Sequence, residues 1–246
     1  FFFSYTLHPV AELQHYYLPN TQYPIIVLPY LISSLSLDKV SSTDINKMTS
    51  STTNSVPEIA GLPLHRKWVL FYDSPRISKD DVPWHENLHN CGSFSTAEQF
   101  WQVFNNVKPS SQLGLNANYH VFMEGILPMW EDPKNVKGGK FVLTLPKRDS
   151  KAGKLDEWWL FTVLSLIGET IDAKGNEICG AVVSIRKSQD RIAIWLKSCD
   201  KKICEEIGQR WKTALAVSNK TTLKYHSHKS SAASGHSFKS HALFEV

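Results

Sequence analysis

From Leu64 onward short apolar runs alternate with polar breaks, and the period of each run assigns it to an element. Trp68-Val69-Leu70-Phe71-Tyr72 predicts a strand. Asp73 to Pro83 follows as a polar loop with two prolines, carrying Trp84 at its end. Ser95-Thr96-Ala97-Glu98 is a capping box, and Ala97, Phe100, Trp101, Phe104 and Val107 recur at helical spacing behind it. Tyr119 to Met123 and Lys140 to Leu145 read as strands, with Gly138-Gly139 as the turn into the second. A second helix is predicted from near Asp156 through Trp158 to Ile167, with Gly168 as its C-cap. Its apolar residues go nearly all round, so packing on one sheet would leave an apolar stripe open to a partner.

Ile178–Arg186 and Arg191–Lys197 predict a hairpin through the polar turn Lys187-Ser188-Gln189-Asp190. Asp200 caps a third helix whose buried face is Ile203, Ile207, Trp211 and Ala214. Thr221 to Tyr225 is the last expected strand, and the Ser/His/Lys-rich tail from His226 is expected to be mobile. Helices between strands are compatible with a parallel sheet. Strands outnumber helices by about two to one, however, and the hairpin is short, so the expected class is α+β, an antiparallel sheet with helices on one face.

Residues 1–60 follow no period. They are Phe/Tyr/Leu/Pro-rich to Leu37 and then Ser/Thr-rich, and the polar tract is expected to be disordered. The sequence does not begin with Met, and Met48 opens the polar tract just before the regular pattern. Residues 1–47 are therefore expected to be an extension or an upstream misreading, with one domain over 61–246.

Composition narrows the function. A content of 42% hydrophobic residues supports a packed core, and eight Trp are many, which fits stacking and partner surfaces as well as cores. A net charge of +4 over 246 residues is too small for a general polyanion binder, so any anion site must be local. The four cysteines, Cys91, Cys179, Cys199 and Cys204, form no C-x-x-C pair or zinc spacing and read as the reduced thiols of a cytosolic or nuclear protein. The longest apolar run, Ile25 to Leu37, is broken by Pro29 and by serines and falls short of a membrane span.

The chemistry centres on Met129-Trp130-Glu131-Asp132-Pro133. Pro128 and Pro133 bracket it as a loop, so a large flat aromatic stands beside two carboxylates. Trp130 is either a lid folded on the core or a stacking platform with an acceptor next to it, suited to an electron-poor ring with N–H donors. Trp84, also in a loop, favours the platform. In the hairpin, alternation puts Arg191, Ala193 and Trp195 on one face, and Arg186 can lie near Arg191 as a pair of guanidinium forks for phosphate, or as a solvated tip. His226, His228, His236 and His241 lack the cysteines of a metal site. No hydrolase elbow, Walker loop or dinucleotide fingerprint occurs, and Asp80-Asp81 with Glu131-Asp132 lack the further acidic cluster of a metal-dependent phosphohydrolase.

Several separate stretches in order, namely Trp84, Gly125 to Asp132, Gly138-Gly139, Leu166 to Glu169, Cys179 to Val183 and Ile192 to Trp195, closely resemble the eukaryotic translation initiation factor 4E family. The resemblance runs from about Leu62 to the C-terminus. It implies a strongly curved antiparallel sheet of eight strands backed by three long helices, with the messenger RNA cap in the concave face. It further implies that Trp84 and Trp130 sandwich 7-methylguanine, whose positive charge adds cation–π attraction to stacking. Glu131 would accept from the base N1–H and N2–H, Trp195 would contact the methyl group, and Arg186, Arg191 and His228 would stand at the phosphates. Ser188 replaces a basic residue common in the family, so Lys187 is a substitute, and Lys229 is a candidate for the family's tail lysine.

On the helical back the resemblance places Pro63, Trp101, Leu160, Leu164 and Gly168 at the surface for a 4G-type scaffold factor and for 4E-binding repressor proteins. Leu62 and Phe161 depart from the family there, and Phe161 enlarges the apolar patch where the family has an acid. The implied function is non-enzymatic: a cytoplasmic or nuclear module, without cofactor, metal or membrane partner, that binds capped messenger RNA and delivers it to the scaffold. A repressor that binds cap but not the scaffold, and a cap hydrolase, are the alternatives. Tyr23-x4-Leu28 and Tyr30-x4-Leu35 in the extension miss the last apolar residue of a scaffold-type motif, which leaves self-docking as a further alternative to disorder.

Overall fold

The computed structural model of the protein describes residues 61–75, 87–172, 175–218, 220–234 and 241–246. All belong to the compact unit Ile59–Val246. The extension, the loop bearing Trp84, and His236 lie outside the described residues.

Among the described residues eight strands form one curved antiparallel sheet: β1 (Pro63–Asp73), β2 (His89–Thr96), β3 (Asn118–Met123), β4 (Gly139–Pro146), β5 (Ile178–Ser184), β6 (Gln189–Leu196), β7 (Lys224–Ser227) and β8 (Phe244–Glu245). Their order is β2-β1-β3-β5-β6-β4-β7-β8, so the β5–β6 hairpin sits between β3 and β4. The helices are α1 (Ala97–Phe104), α2 (Lys147–Lys151), α3 (Lys154–Ile167), α4 (Lys201–Ala214) and α5 (His228–Ser234).

Strand alternation gives the sheet two apolar faces of different use. Ile192 lies beside Leu143 and Val183, and Ile194 beside Phe141 and Ala181; every one of these is fully buried. Burying each large member contributes about 1.5–3 kcal/mol. This is the helix-covered face: Gly208 of α4 packs on the Phe141 ring, and Trp211 donates its Nε1–H to Thr162 of α3 at 3.0 Å, locking the two long helices side by side. The other parity, Val69, Phe122, Gly180, Trp195 and Lys140, lines the opposite, concave face.

Several expectations are corrected. The N-cap of α1 is Thr96, not Ser95: its hydroxyl accepts from Gln99 N at 3.2 Å, and Gln99 reaches back to Ser95 N. Glu98 instead accepts the amide of Leu62 at 2.9 Å, fastening the start of β1 to α1. The helix α3 ends at Gly168 as expected, but Gly168 has φ −86 and the left-handed residue is Glu169 at φ 52. The apolar stripe on α3 is narrower than its composition suggests. Trp158, Leu160 and Phe161 are half-buried, and its other apolar side chains are buried. On α4, Cys204 and Gly208 join Ile207 and Trp211 in the buried set, while Ile203 and Ala214 stay half-buried.

The last expected strand starts three residues later and ends two later, at Lys224–Ser227. The tail is not a loose end: it forms α5 and then β8, whose Phe244 stacks on Tyr225 with centroids 4.5 Å apart and planes at 7°. Strand β2, absent from the sequence reading, is an edge strand with a largely polar, glycine-interrupted sequence and an irregular register against β1.

Candidate functional site: the concave face and its loop

The loop between β3 and β4 is held by two side chains. Asp132 accepts from Leu127 N at 2.9 Å and from Lys134 N at 2.8 Å. Asn135, fully buried, donates from Nδ2 to the carbonyls of Leu127 and Met129, both at 2.8 Å. Together they close the turn from both sides, so Trp130 is presented by a bonded scaffold and not by a slack loop. Trp130 is half-buried, and neighbouring Glu131 is exposed.

The return into β4 requires Gly138, because any Cβ there would overlap the Leu196 carbonyl of β6. Gly180 serves the opposite end of the row: a Cβ would stand 2.5 Å from the Phe122 ring. Its absence lets Phe122 lie across the strand and meet Trp195 edge-on at 5.4 Å.

Trp195 and Lys140 are direct cross-strand partners. The Lys140 ammonium lies 5.9 Å from the Trp130 ring centroid and 5.5 Å from that of Trp195, so one cation faces both indoles. Lys140 is 3% exposed; burial, and then the charges of Arg191 and Arg186, push its pKa down to about 7. Trp195 also packs against His228, 1% exposed, with ring centroids 4.1 Å apart. Burial, followed by the Lys140 charge, pushes the His228 pKa down to about 3, which keeps the ring neutral.

Arg186 and Arg191 flank the same face at the turn end of the hairpin, both half-buried. Burial, and then the neighbouring Arg191, lowers the pKa of Arg186, and burial lowers that of Arg191. Asp190 organises the turn: its Oδ1 accepts from Arg186 N at 3.0 Å and from Lys147 Nζ at 2.6 Å. The surface is thus a stacking aromatic, an exposed carboxylate, a second indole and three crowded cations. Flat cationic rings carrying phosphate are the ligands that would use all of it. Among the described residues no group of three or more metal-ligating side chains is assembled, and no helix is long and apolar enough to cross a membrane.

The family model for eukaryotic initiation factor 4E matches residues 63–243. The chain belongs to the initiation factor 4E family. The initiation factor 4E of Candida albicans is 38% identical over 173 residues, which is 70% of this chain and 82% of that protein. That of Arabidopsis thaliana, 4E-1, is 41% identical over 170 residues, 69% of each. Among solved structures, initiation factor 4E-3 of Ascaris suum with m7G cap superposes at a TM-score of 0.67 with 32% identity, covering 76% of this chain and 98% of that one. Initiation factor 4E-3 of C. elegans, in complex with the 4E-binding protein Mextli and a cap analog, gives 0.67 at 30% identity, covering 75% and 99%.

Of the initiation factor 4E site expected from sequence, the structure brings together Trp130, Trp195, Arg186, Arg191 and His228, with Glu131 beside Trp130; Trp84 lies outside the described residues. Ser188 and Lys187 are exposed in the hairpin turn, and Lys229 is exposed on α5. On the helical back Pro63 is exposed, Trp101, Leu160 and Gly168 are half-buried, and Leu164 is buried. The ion pair of Arg66 with Glu169 at 2.6 Å ties β1 to the end of α3. Leu62 at the start of this face is 53% exposed.

Lys140 was not among the expected site residues. The available signal was a single cation at the first inward position of an otherwise apolar strand, following Gly138-Gly139.

Proposed function

We propose that the protein binds the 7-methylguanosine cap of messenger RNA in its concave face and passes the capped message to a 4G-type scaffold factor docked on its helical back. One observation carries the reading: a half-buried Trp130 on a loop braced by Asp132 and Asn135, beside Trp195 and the cations Lys140, Arg186 and Arg191. Trp130 and Trp84 stack on the base, Glu131 accepts its N–H donors, Trp195 meets the methyl group, and Arg186, Arg191 and His228 serve the phosphates. The family and the cap-bound relatives support this assignment. Binding to Mextli in a relative supports a protein partner at a second surface, which here we place at Pro63, Trp101, Leu160, Leu164 and Gly168. The 4E-binding repressors would use the same surface.

The protein acts by binding alone, in the cytoplasm, and returns the nucleotide unchanged. Titration of its Trp fluorescence with 7-methyl-GTP and, in parallel, with GTP tests the reading. Strong quenching by the methylated nucleotide only is expected. Equal or absent quenching would sink it, and recovery of cleaved nucleotide after incubation would overturn the non-enzymatic part.

A further inference from the structure

A buried polar chain leads from β1 across β3 to the hairpin, and the reading above gives it no task. Asp73, the last residue of β1, is 5% exposed and lies beside Asn118, with His120 two residues further on the same face. Its Oδ1 is 2.5 Å from His120 Nε2, and both its oxygens accept from Asn118 Nδ2, at 2.9 and 3.0 Å. The amide nitrogen of Asn118 is thereby committed to Asp73, so its Oδ1 must point the other way. There it accepts from the Arg186 guanidinium at 2.9 Å. A second guanidinium nitrogen of Arg186 donates to the Ile185 carbonyl at 2.8 Å. Among the described residues two of its five donors are fixed by this chain and its own backbone, and the other three can meet an anion.

A carboxylate beneath a phosphate-binding face is electrostatically unfavourable unless it does something for the cations. Arg186 is charged against burial and against Arg191, and the negative charge of Asp73 opposes both. His120, 4% exposed, meets the same Oδ1 that Asn118 bonds, so the acid has two partners and a fixed geometry to transmit.

We propose that Asp73, acting through the Asn118 amide, is the positioning residue that fixes the Arg186 guanidinium for the cap phosphates, with His120 locking Asp73 in place. This rests on Arg186 being a phosphate ligand. The assignment commits the amide to one orientation. Asn at position 73 could offer either end of its own amide, so Asn118 could invert and set its donors against those of Arg186.

The test is a fluorescence titration of the full chain with 7-methylguanosine and with 7-methyl-GTP, the ratio of the two dissociation constants being the gain due to phosphate. Wild type, D73N, N118A, R186Q and the doubles D73N/R186Q and N118A/R186Q are compared. The expected result is a loss of about three- to tenfold in that ratio for D73N and N118A, with nucleoside affinity unchanged. Neither substitution should lower the ratio further once Arg186 is gone. Should D73N fail to fold, N118A and its double give the same reading, because they leave Asp73 and His120 intact. If R186Q loses the phosphate gain while D73N and N118A keep it, or if their effects persist in full without Arg186, the positioning role is overturned. If R186Q itself keeps the gain, Arg186 is not a phosphate ligand and both statements fall.

Discussion

The Lys140 ammonium lies 5.5 Å from the centroid of Trp195, its direct partner across β4 and β6, and is almost wholly removed from water. With its pKa pushed down to about 7, Lys140 is part neutral at physiological pH, and a triphosphate arriving nearby would draw a proton onto it. Calorimetry at pH 7.5 in buffers of different ionisation heat should show proton uptake on binding 7-methyl-GTP. The uptake should be smaller in K140R, whose guanidinium stays charged; the base's own titration is common to both and cancels in the difference. Equal uptake by the two proteins would refute the assignment.

The same depressed pKa has a consequence for stability. Between pH 7 and the ordinary lysine value of 10.5 the unfolded chain holds the proton and the folded chain does not, so stability should rise with pH across that window. Urea midpoints of wild type should climb from pH 7 to 9, and those of K140M should climb less.

Trp130 and Glu131 share a loop but differ in burial, which separates their predicted effects. W130A should weaken cap binding by about 1–3 kcal/mol through lost stacking. E131A should cost a similar amount by leaving base donors unpaired. Because Glu131 is exposed, E131A should melt at the wild-type temperature. Near-normal retention of both variants on a cap-analogue resin would contradict the site.

His228 is held neutral against Trp195. Its folded pKa, about 3, lies below the ordinary 6.5, so the unfolded chain takes up a proton first as pH falls. Stability should therefore decline from pH 6.5 downward, and H228Q should flatten part of that decline in melting temperature. A slope unchanged by the substitution would remove His228 from the account.

Gly138 meets the Leu196 carbonyl with no room for a side-chain carbon. G138A should destabilise the fold by at least about 2 kcal/mol and disturb the Trp130 loop that it terminates. Denaturant unfolding measures the first effect and cap affinity the second. Wild-type values for both would show that the strands can part at little cost.

The strands β1, β3, β5 and β6 and the helices α3 and α4 were legible because each carries a strong apolar period over a full element, and Asp200 announced its helix as an N-cap. Strand β2 was not, since His89-Asn90-Cys91-Gly92-Ser93 is half of an edge strand and needs no apolar alternation. The tail misled for a related reason. Its Ser/His/Lys composition resembles solvated chain, but His226 and His228 are buried and Phe244 stacks on Tyr225. Within the site, Trp130, Glu131 and the arginines stood out as local motifs and family matches. Asp73, Asn118 and His120 did not, because their chemistry exists only once the β1–β3 register sets them side by side.

The hairpin β5–β6 is inserted between β3 and β4, although both of those strands precede it in the chain. During synthesis β3 and β4 are therefore made without the neighbours that will separate them, and each exposes an open, apolar edge. The β3 edge stays open until β5 has been made through Ser184, and the hairpin-facing edge of β4 until β6 has been made through Leu196. Most of the ligand-facing wall is built from pairings of this late, long-range kind, which form slowly and leave unpaired edges prone to association. The nascent chain passes through a sticky stage just before it gains a binding surface. Substitutions that weaken the hairpin should accordingly lower the yield of soluble protein before they lower the affinity of the molecules that do fold.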